Sequence, residues 1–344
     1  METRTDMVNI DWKNLGFKYM DTACHIEYVW RDGAWDSGVL VKEPYLKMHI
    51  GATCLHYGQE AFEGLKAFRC QDGVVRVFRP ADNARRMFNT ARRTCMAQVP
   101  EAMFVDAVKR VVKANEDYIP PYGTGGSLYI RPLLIGTGAQ IGVAPAKEYT
   151  FLVLVMPAGE YYKGGLKPVK SIIIDEYDRA APLGMGDVKV GGNYAASLYA
   201  HEQAKRAGYP VELYLDAKTH SFIEEFATSN FIGIKPDGTY VTPDSPSILP
   251  SMTNDTLRQL AHDFGMKVET RPVPFEELPT FSEVAACGTA VVVTPVYEIT
   301  RGATVITLGS PDRCGPVVQK LFDAVQDIQY GRKPDVHGWC VPID

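Results

Sequence analysis

The segment Ala158-Gly-Glu-Tyr-Tyr-Lys-Gly-Gly-Leu-Lys-Pro168 divides the chain. Its glycines and closing proline have the content of a linker, and the residue patterns on its two sides differ. At 344 residues the length suits two domains or one large one. The expectation is therefore a small N-terminal α+β domain over residues 1–158, a linker over 159–168, and a larger C-terminal domain over 169–344.

Residues 1–78 read as β-rich. Ile26-Glu-Tyr-Val-Trp-Arg31 alternates into an Asp32-Gly33 turn, and Val74 to Arg79 alternates after Asp72-Gly73. From Pro80 the period becomes helical, with Asp82 or Asn83 able to cap and Met87, Phe88, Ala91 and Met96 marking an apolar face. A second helix is expected from about Glu101 to Tyr118, stopped by Pro120-Pro121. Ser127 to Ile135 and Tyr149 to Met156 read as strands. Gly136-Thr-Gly-Ala-Gln-Ile-Gly142 between them resembles a dinucleotide fingerprint only superficially: the third glycine comes one position late, and Pro145 stands where a helix would begin.

The second half begins with a strand over Val169 to Ile174. A helix follows from Asn193 to Gly208, with short strands at Val211 to Leu215, Phe222-Ile223 and Asn230 to Lys235. Ser251 looks like the cap of a helix to Gly265, with Leu257, Leu260, Ala261 and Phe264 inward. Strands are expected near 267–273 and 282–286, and a last helix over about 315–330. The mixture says α+β or α/β, with several antiparallel hairpins.

Composition narrows the function classes. A net charge of −5 gives no general reason to expect nucleic acid or an anionic membrane as a partner. No apolar run reaches the roughly 18 residues of a membrane helix, and the first ten residues carry no apolar core of a signal peptide. Seven cysteines at 24, 54, 70, 95, 287, 314 and 340 form no C-x-x-C, and the seven histidines form no H-x-x-x-H. A reduced cytoplasmic protein without a structural metal is expected.

Within Gly184-Met-Gly-Asp-Val-Lys-Val-Gly-Gly-Asn-Tyr194, Lys189 stands between two valines and beside a Gly-Gly pair. A lysine held against apolar neighbours loses stabilisation of its charged form, so its amine becomes a usable nucleophile. Alone, a lysine next to glycine is most often a loop lysine. A cofactor that uses one needs three further things: a phosphate cradle, an acid for a ring nitrogen and a hydroxyl near the ring oxygen. Pro250-Ser251-Met252-Thr253 opens a helix, where free N–H groups and the helix dipole favour an anion. Gly288-Thr289-Ala290 ends an apolar strand with a small hydroxyl residue. Glu224-Glu225 sits among apolar residues, where a half-buried carboxylate wants a protonated partner. Tyr194 lies five residues past the lysine.

Together these residues resemble the branched-chain aminotransferases, members of the fold-type IV pyridoxal-phosphate enzymes. The matching blocks are His56-Tyr57-Gly58 leading to Phe62-Glu63-Gly64, Tyr129-Ile-Arg-Pro132, Lys189-Val-Gly-Gly-Asn-Tyr194, Ile223 to Phe231, Leu249-Pro-Ser-Met-Thr253 and Cys287-Gly-Thr-Ala290. They run in the family's order and spacing over about residues 25–340. The resemblance implies two domains of mainly antiparallel or mixed sheets flanked by helices, with the site at the domain interface. It implies pyridoxal 5'-phosphate as cofactor, and Lys189 as the lysine that joins the cofactor's aldehyde and moves the proton at the substrate carbon. Glu225 is similar to the acid that pairs with the pyridine nitrogen. Glu224 competes for that role, and the spacing to Asn230 favours Glu225. Tyr194 resembles the group that bonds the ring oxygen. Arg86, Met252, Thr253 and Thr289 match the phosphate cradle, and Tyr57, Phe62, Tyr129, Arg131, Tyr161, Thr228 and Ala290 match positions around the substrate.

The activity implied is transamination of leucine, isoleucine and valine with 2-oxoglutarate, giving branched-chain 2-oxo acids and L-glutamate. The assembly implied is a homodimer or higher homo-oligomer, in which a loop near 136–143 closes the partner's pocket. Relatives of the same fold act on D-amino acids or cleave aminodeoxychorismate, and these remain the near alternatives. A non-catalytic phosphate-binding module is the distant one. The chain departs from part of the family at Val291-Val-Val-Thr294, where mammalian-type members carry a cysteine pair, so no thiol switch is expected there. Glu224, Phe226 and Ser229 are also not the commonest choices in their loop.

Overall fold

The computed structural model describes residues 10–159 and 165–343. By its contacts the chain separates into two compact units, Met1–Tyr161 with Asp327–Asp344, and Tyr162–Gln326.

The first unit is built on strands β1 (His25–Arg31), β2 (Ala34–Trp35), β3 (Val39–Val41), β4 (Glu60–Phe62), β5 (Leu65–Arg69), β6 (Val75–Phe78), β7 (Ser127–Gly136) and β8 (Tyr149–Ala158). A short helix α1 (Thr53–Tyr57) precedes β4, and α2 (Pro80–Arg93) and α3 (Glu101–Ala114) lie between β6 and β7. All pairings in this sheet are antiparallel. The long β7–β8 ladder runs from Ser127↔Ala158 to Gly136↔Tyr149. One face of the sheet is covered by α2 and α3. Leu65, Leu128, Ile130 and Phe151 meet Met87, Ala91, Phe104 and Val108 there in one buried cluster.

Two helix readings change. Helix α2 starts at Pro80 behind Arg79, so neither Asp82 nor Asn83 caps it; Asn83 instead donates to Glu63 at 2.7 Å. Phe88 is 42% exposed, because it sits about 100° round the helix from buried Met87. Helix α3 ends at Ala114, earlier than expected. The Asn115 side chain donates to Val111 O and Cys24 O, and a 3-10 turn over Glu116–Tyr118 follows.

The second unit holds β9 (Val169–Ile174), β10 (Val211–Leu215), β11 (Phe222–Phe226), β12 (Ser229–Ile234), β13 (Tyr240–Pro243), β14 (Val268–Arg271), β15 (Val273–Pro274), β16 (Glu283–Gly288), β17 (Val292–Arg301) and β18 (Thr304–Thr307), with helices α4 (Gly191–Arg206), α5 (Met252–Asp263) and α6 (Pro316–Gln329). Following the pairings from β12 through β16, β17, β9, β10 and β11 returns to β12. The strands therefore close on themselves, which removes their edges. Each contributes apolar side chains to one core, among them Ile173, Leu213, Phe226, Phe231, Val284 and Val296. The β9–β10 and β9–β17 pairs are parallel, and the hairpins are antiparallel. Strand β17 was absent from the sequence expectation. Pro295 interrupts its pattern, yet the residue fits opposite Ala285.

A last strand, β19 (Cys340–Pro342), pairs with β6 of the first sheet. Before it, Tyr330 packs edge-on against Phe68 and donates to Gly126 O at 3.0 Å. The chain end thus belongs with the first unit, which corrects the expectation that 169–344 forms one domain. A three-residue strand carries no periodicity to announce this.

Helix α5 begins as expected behind Ser251, whose hydroxyl accepts from the Asn254 N–H at 3.1 Å. Phe264, expected inward, is 37% exposed beyond its end. Replacing Ser251 with alanine leaves a first-turn N–H unsatisfied. It should lower unfolding free energy by about 1 kcal/mol, read as a shift of the urea midpoint without a change of slope.

Candidate active site

In the second unit the loop before α4 presents Lys189. Val188 and Val190 on either side are buried, at 5% and 6% exposure, so the lysine between them turns the other way and is half-buried. Asn193 holds this loop, donating its amide to Met185 O at 2.7 Å and Val188 O at 3.1 Å. Lys189 Nζ then lies 2.5 Å from the Tyr194 hydroxyl and 4.8 Å from that ring's centroid. Lysine, asparagine and tyrosine of the Lys-Val-Gly-Gly-Asn-Tyr block thus form one local construction.

Glu224 and Glu225 extend β11 beyond the expected Phe222-Ile223, and both are 3% exposed. Glu224 accepts from Ser245 Oγ at 2.7 Å, and burial raises its carboxyl above the usual range. Glu225 is richer in partners. Asn230 Nδ2 donates to Oε2 at 2.7 Å, and the Leu249 N–H donates to Oε1 at 2.9 Å. Arg179 forms an ion pair with Oε1 at 2.9 Å. Burial pushes the Glu225 carboxyl up to about 7 against the pull of Arg179, the Leu249 N–H and Asn230. Arg179 is 7% exposed and also bonds Ser247 O and Gly186 O. A Cβ on Gly186 would collide with Ser247 O and the Arg179 guanidinium, so that close approach requires glycine. Sequence reasoning missed Arg179: an arginine beside Asp178, ten residues before the lysine, carries no pattern.

The sheet brings two turns together. The register Glu225↔Asn230 and Asn230↔Cys287 aligns β11, β12 and β16. The Ala227-Thr228 turn and the Thr289-Ala290 turn accordingly lie at the same end of these strands. A Cβ on Gly288 would stand 3.5 Å from Ser229 Cβ and 3.8 Å from Thr228 O. Thr228 and Ala290 are exposed and Thr289 is half-buried. Met252 and Thr253 occupy the first turn of α5, where backbone N–H groups lack helical acceptors. A groove of about 510 Å³ in this unit, lined by Pro168, Lys235, Tyr297 and Arg313, lies at the opposite end of the same strands and contains none of the expected residues.

In the first unit Tyr129 and Arg131 alternate along β7, on the face away from α2 and α3. The register Phe62↔Leu133 puts Phe62 on that face too. Arg131 Nη2 donates to the Tyr129 hydroxyl at 2.9 Å, and the guanidinium stands 4.9 Å from the Phe62 ring centroid. Arg131 Nε is buried without a hydrogen-bond partner. Arg86 is held in a buried bidentate pair with Glu63, Nε to Oε1 and Nη2 to Oε2, both at 2.7 Å. Tyr57 is set apart from this cluster: it ends α1, is 42% exposed and donates to Ile141 O. Tyr161 lies outside the described residues. Among the described residues no group of three or more His, Cys, Asp or Glu could hold a metal ion.

Gly64 lies against the Tyr129 hydroxyl, which a Cβ would strike. Gly64→Ala should displace Tyr129 from Arg131 and cost roughly 1–3 kcal/mol of stability, read as a lower urea midpoint.

The family model for amino-transferase class IV matches residues 60–299. The chain is 47% identical over 344 residues to a branched-chain-amino-acid aminotransferase of Haemophilus influenzae, covering 98% of this chain and 100% of that one. It is 44% identical over 340 residues to a branched-chain-amino-acid aminotransferase of Helicobacter pylori, covering 98% of this chain and 99% of that one. Among solved structures it resembles the branched-chain amino acid aminotransferase of Escherichia coli, with a TM-score of 0.73 and 26% identity over 92% of this chain and 99% of that one. The two mixed α and β units and their sheets are those of a fold-type IV enzyme. With its family model spanning more than half of the sequence and a relative matching nearly all of it, the chain belongs to the class IV aminotransferases.

Proposed function

We propose that the protein transfers the amino group between branched-chain L-amino acids and 2-oxoglutarate, giving branched-chain 2-oxo acids and L-glutamate, with pyridoxal 5'-phosphate as cofactor. The observation that carries the reading is Glu225: a buried carboxyl that accepts from three groups, in the unit that also sets Lys189 against Tyr194. The chemistry of the donor set fits the cofactor. Glu225 suits a protonated ring nitrogen, the Tyr194 hydroxyl a ring oxygen, and the first-turn N–H groups at Met252 and Thr253 with the Thr289 hydroxyl a phosphate. Arg86, which the resemblance assigns to the same cradle, has its guanidinium paired with buried Glu63 in the first unit. When bound, pyridoxal phosphate supplies an electron sink for the carbon that loses its proton.

Each side chain then has a task. The Lys189 amine removes the proton from the substrate's α-carbon and returns one on the other side of the transfer. Tyr194 holds that amine in reach. Beside a protonated ring nitrogen Glu225 would be ionised and would keep that proton in place. Tyr129 and Arg131 offer a hydroxyl and a guanidinium to carboxylates, including the side-chain carboxylate of glutamate. Phe62 gives an apolar wall for leucine, isoleucine or valine, where each buried methylene contributes roughly 0.8 kcal/mol. Thr228 and Ala290, on the two turns at one end of β11, β12 and β16, bound the substrate in this reading.

We further propose a homodimer or higher homo-oligomer acting in the cytoplasm on small amino and oxo acids, with neither nucleic acid nor membrane as a partner. Ile50, Ile141 and Val143 of the first unit and Leu183 of the second are each more than 60% exposed, apolar surface that a second copy would cover. No helix among the described residues is long and apolar enough to cross a membrane, and all seven cysteines are free. The test of the activity is an assay of the purified protein with 2-oxoglutarate and either L-leucine or D-alanine. Glutamate should form with leucine alone. Turnover of D-alanine instead, or of neither, would remove the reading.

A further inference from the structure

We propose that Asn254 is a strut that fixes the spacing between Glu225 and the first turn of α5, and with it the spacing of the acid for a ring nitrogen from the N–H groups for a phosphate. The proposal rests on the function given above and concerns a residue to which that reading gives no part.

Asn254 is the third residue of α5, a position where an asparagine ordinarily turns to solvent or to its own backbone. Here the side chain points inward and is 8% exposed. Its Oδ1 accepts from the Tyr240 hydroxyl at 2.7 Å, and its Nδ2 donates to Thr242 Oγ1 at 2.8 Å and to Asn230 Oδ1 at 3.3 Å. Asn230 in turn donates through Nδ2 to Glu225 Oε2 at 2.7 Å and to Leu249 O at 3.2 Å. The assignment of both amides is forced. A carboxylate and a carbonyl only accept, so Asn230 must present its NH2 to them and its oxygen to Asn254. Asn254 must then present its NH2 and keep its oxygen for the tyrosine.

This chain of bonds closes a ring. The Leu249 N–H donates directly to Glu225 Oε1 at 2.9 Å, and Asn254 reaches the same carboxylate through Asn230. The segment from Leu249 to Asn254 is thus fastened at both ends to one side chain. Met252 and Thr253 lie inside the fastened stretch. Tyr240, Thr242, Asn230 and Glu225 are all 4% exposed or less. Apolar residues of the same shape would fill that space without needing matched partners. What the polar set adds is a single arrangement, since a slip of either amide leaves buried groups unpaired.

Fixed spacing has a thermodynamic signature. A ligand that touches both ends gains from it, while a fragment that touches one end does not. The test is calorimetric titration of the apo full-length protein with pyridoxamine, with inorganic phosphate and with pyridoxamine 5'-phosphate, for the wild type and for Asn254→Leu. The variant should lose about ten-fold or more in affinity for pyridoxamine 5'-phosphate while each fragment stays within about two-fold. Tyr240→Phe, which removes the hydroxyl that orients Asn254 and keeps the ring, should show the same pattern at about three-fold, and it carries the test if Asn254→Leu does not fold. Equal losses for fragments and joined ligand would show that Asn254 only supports the fold. Unchanged binding of all three would show that it supports nothing here; either result overturns the proposal. Failure of the wild type to bind pyridoxamine 5'-phosphate would be a different result, overturning the function itself.

Discussion

Lys189→Ala should lower glutamate formation from L-leucine and 2-oxoglutarate by about 10⁴-fold or more. The size follows from the two jobs that the proposed function gives this one amine: covalent attachment of the cofactor and proton transfer at the α-carbon. No other amine on the Gly184–Tyr194 loop could replace it, because that loop holds one lysine. The substitution is expected to fold. Lys189 is half-buried between two buried valines, and Asn193 keeps the loop closed through backbone carbonyls that the substitution does not touch. A variant that retained the wild-type rate would place the chemistry elsewhere.

Glu225→Gln should be the next most severe change, at about 10²–10⁴-fold in kcat, because an amide cannot hold a neighbouring ring nitrogen in its protonated form. Glu224→Gln should cost only a few-fold, since its carboxyl is directed to Ser245. The pair of variants therefore decides between the two adjacent acids. Glu225 also predicts a pH dependence of the apo-protein. Its folded value of about 7 lies above the usual 4.5, so the folded state binds the extra proton between those pH values. Stability from this group is complete below about pH 4.5 and is lost as pH rises through 7, by up to about 3 kcal/mol. Urea midpoints between pH 5 and 8 should fall more steeply for the wild-type apo-protein than for Glu225→Gln. The variant is offset downward by its unpaired Arg179 at every pH. Parallel curves would show that Glu225 does not titrate there.

The part of the fold visible in the sequence is the part written in local periodicity. The inward face of α3, the Ser251 cap of α5 and the β7–β8 strands all follow from neighbours within a few residues. What stayed hidden depends on partners far away in the chain. Strand β19 has three residues and exists because β6, more than 260 residues earlier, offers an open edge. Strand β17 contains a proline and is held by a parallel partner at Val169 to Ile172.

The site divides in the same way. The Lys189 block and the β11–β12 hairpin are local, and their spacing made the family visible. Arg179 and Asn254 act on Glu225 across 46 and 29 positions in the numbering, by residue types common in any loop or helix. Only the closed ring of strands brings them to one carboxylate. Arg86 entered through the resemblance alone, and its buried pair with Glu63 depends on a partner 23 positions away that no local pattern marks.

The central claim is that one amine, at Lys189, carries the cofactor. Sodium borohydride reduction of the holoenzyme, followed by proteolysis and mass spectrometry, reads this directly. The account predicts a phosphopyridoxyl mass on the peptide containing Lys189 and on no other. A label on a different lysine, or reduction that leaves every peptide unmodified, would contradict it.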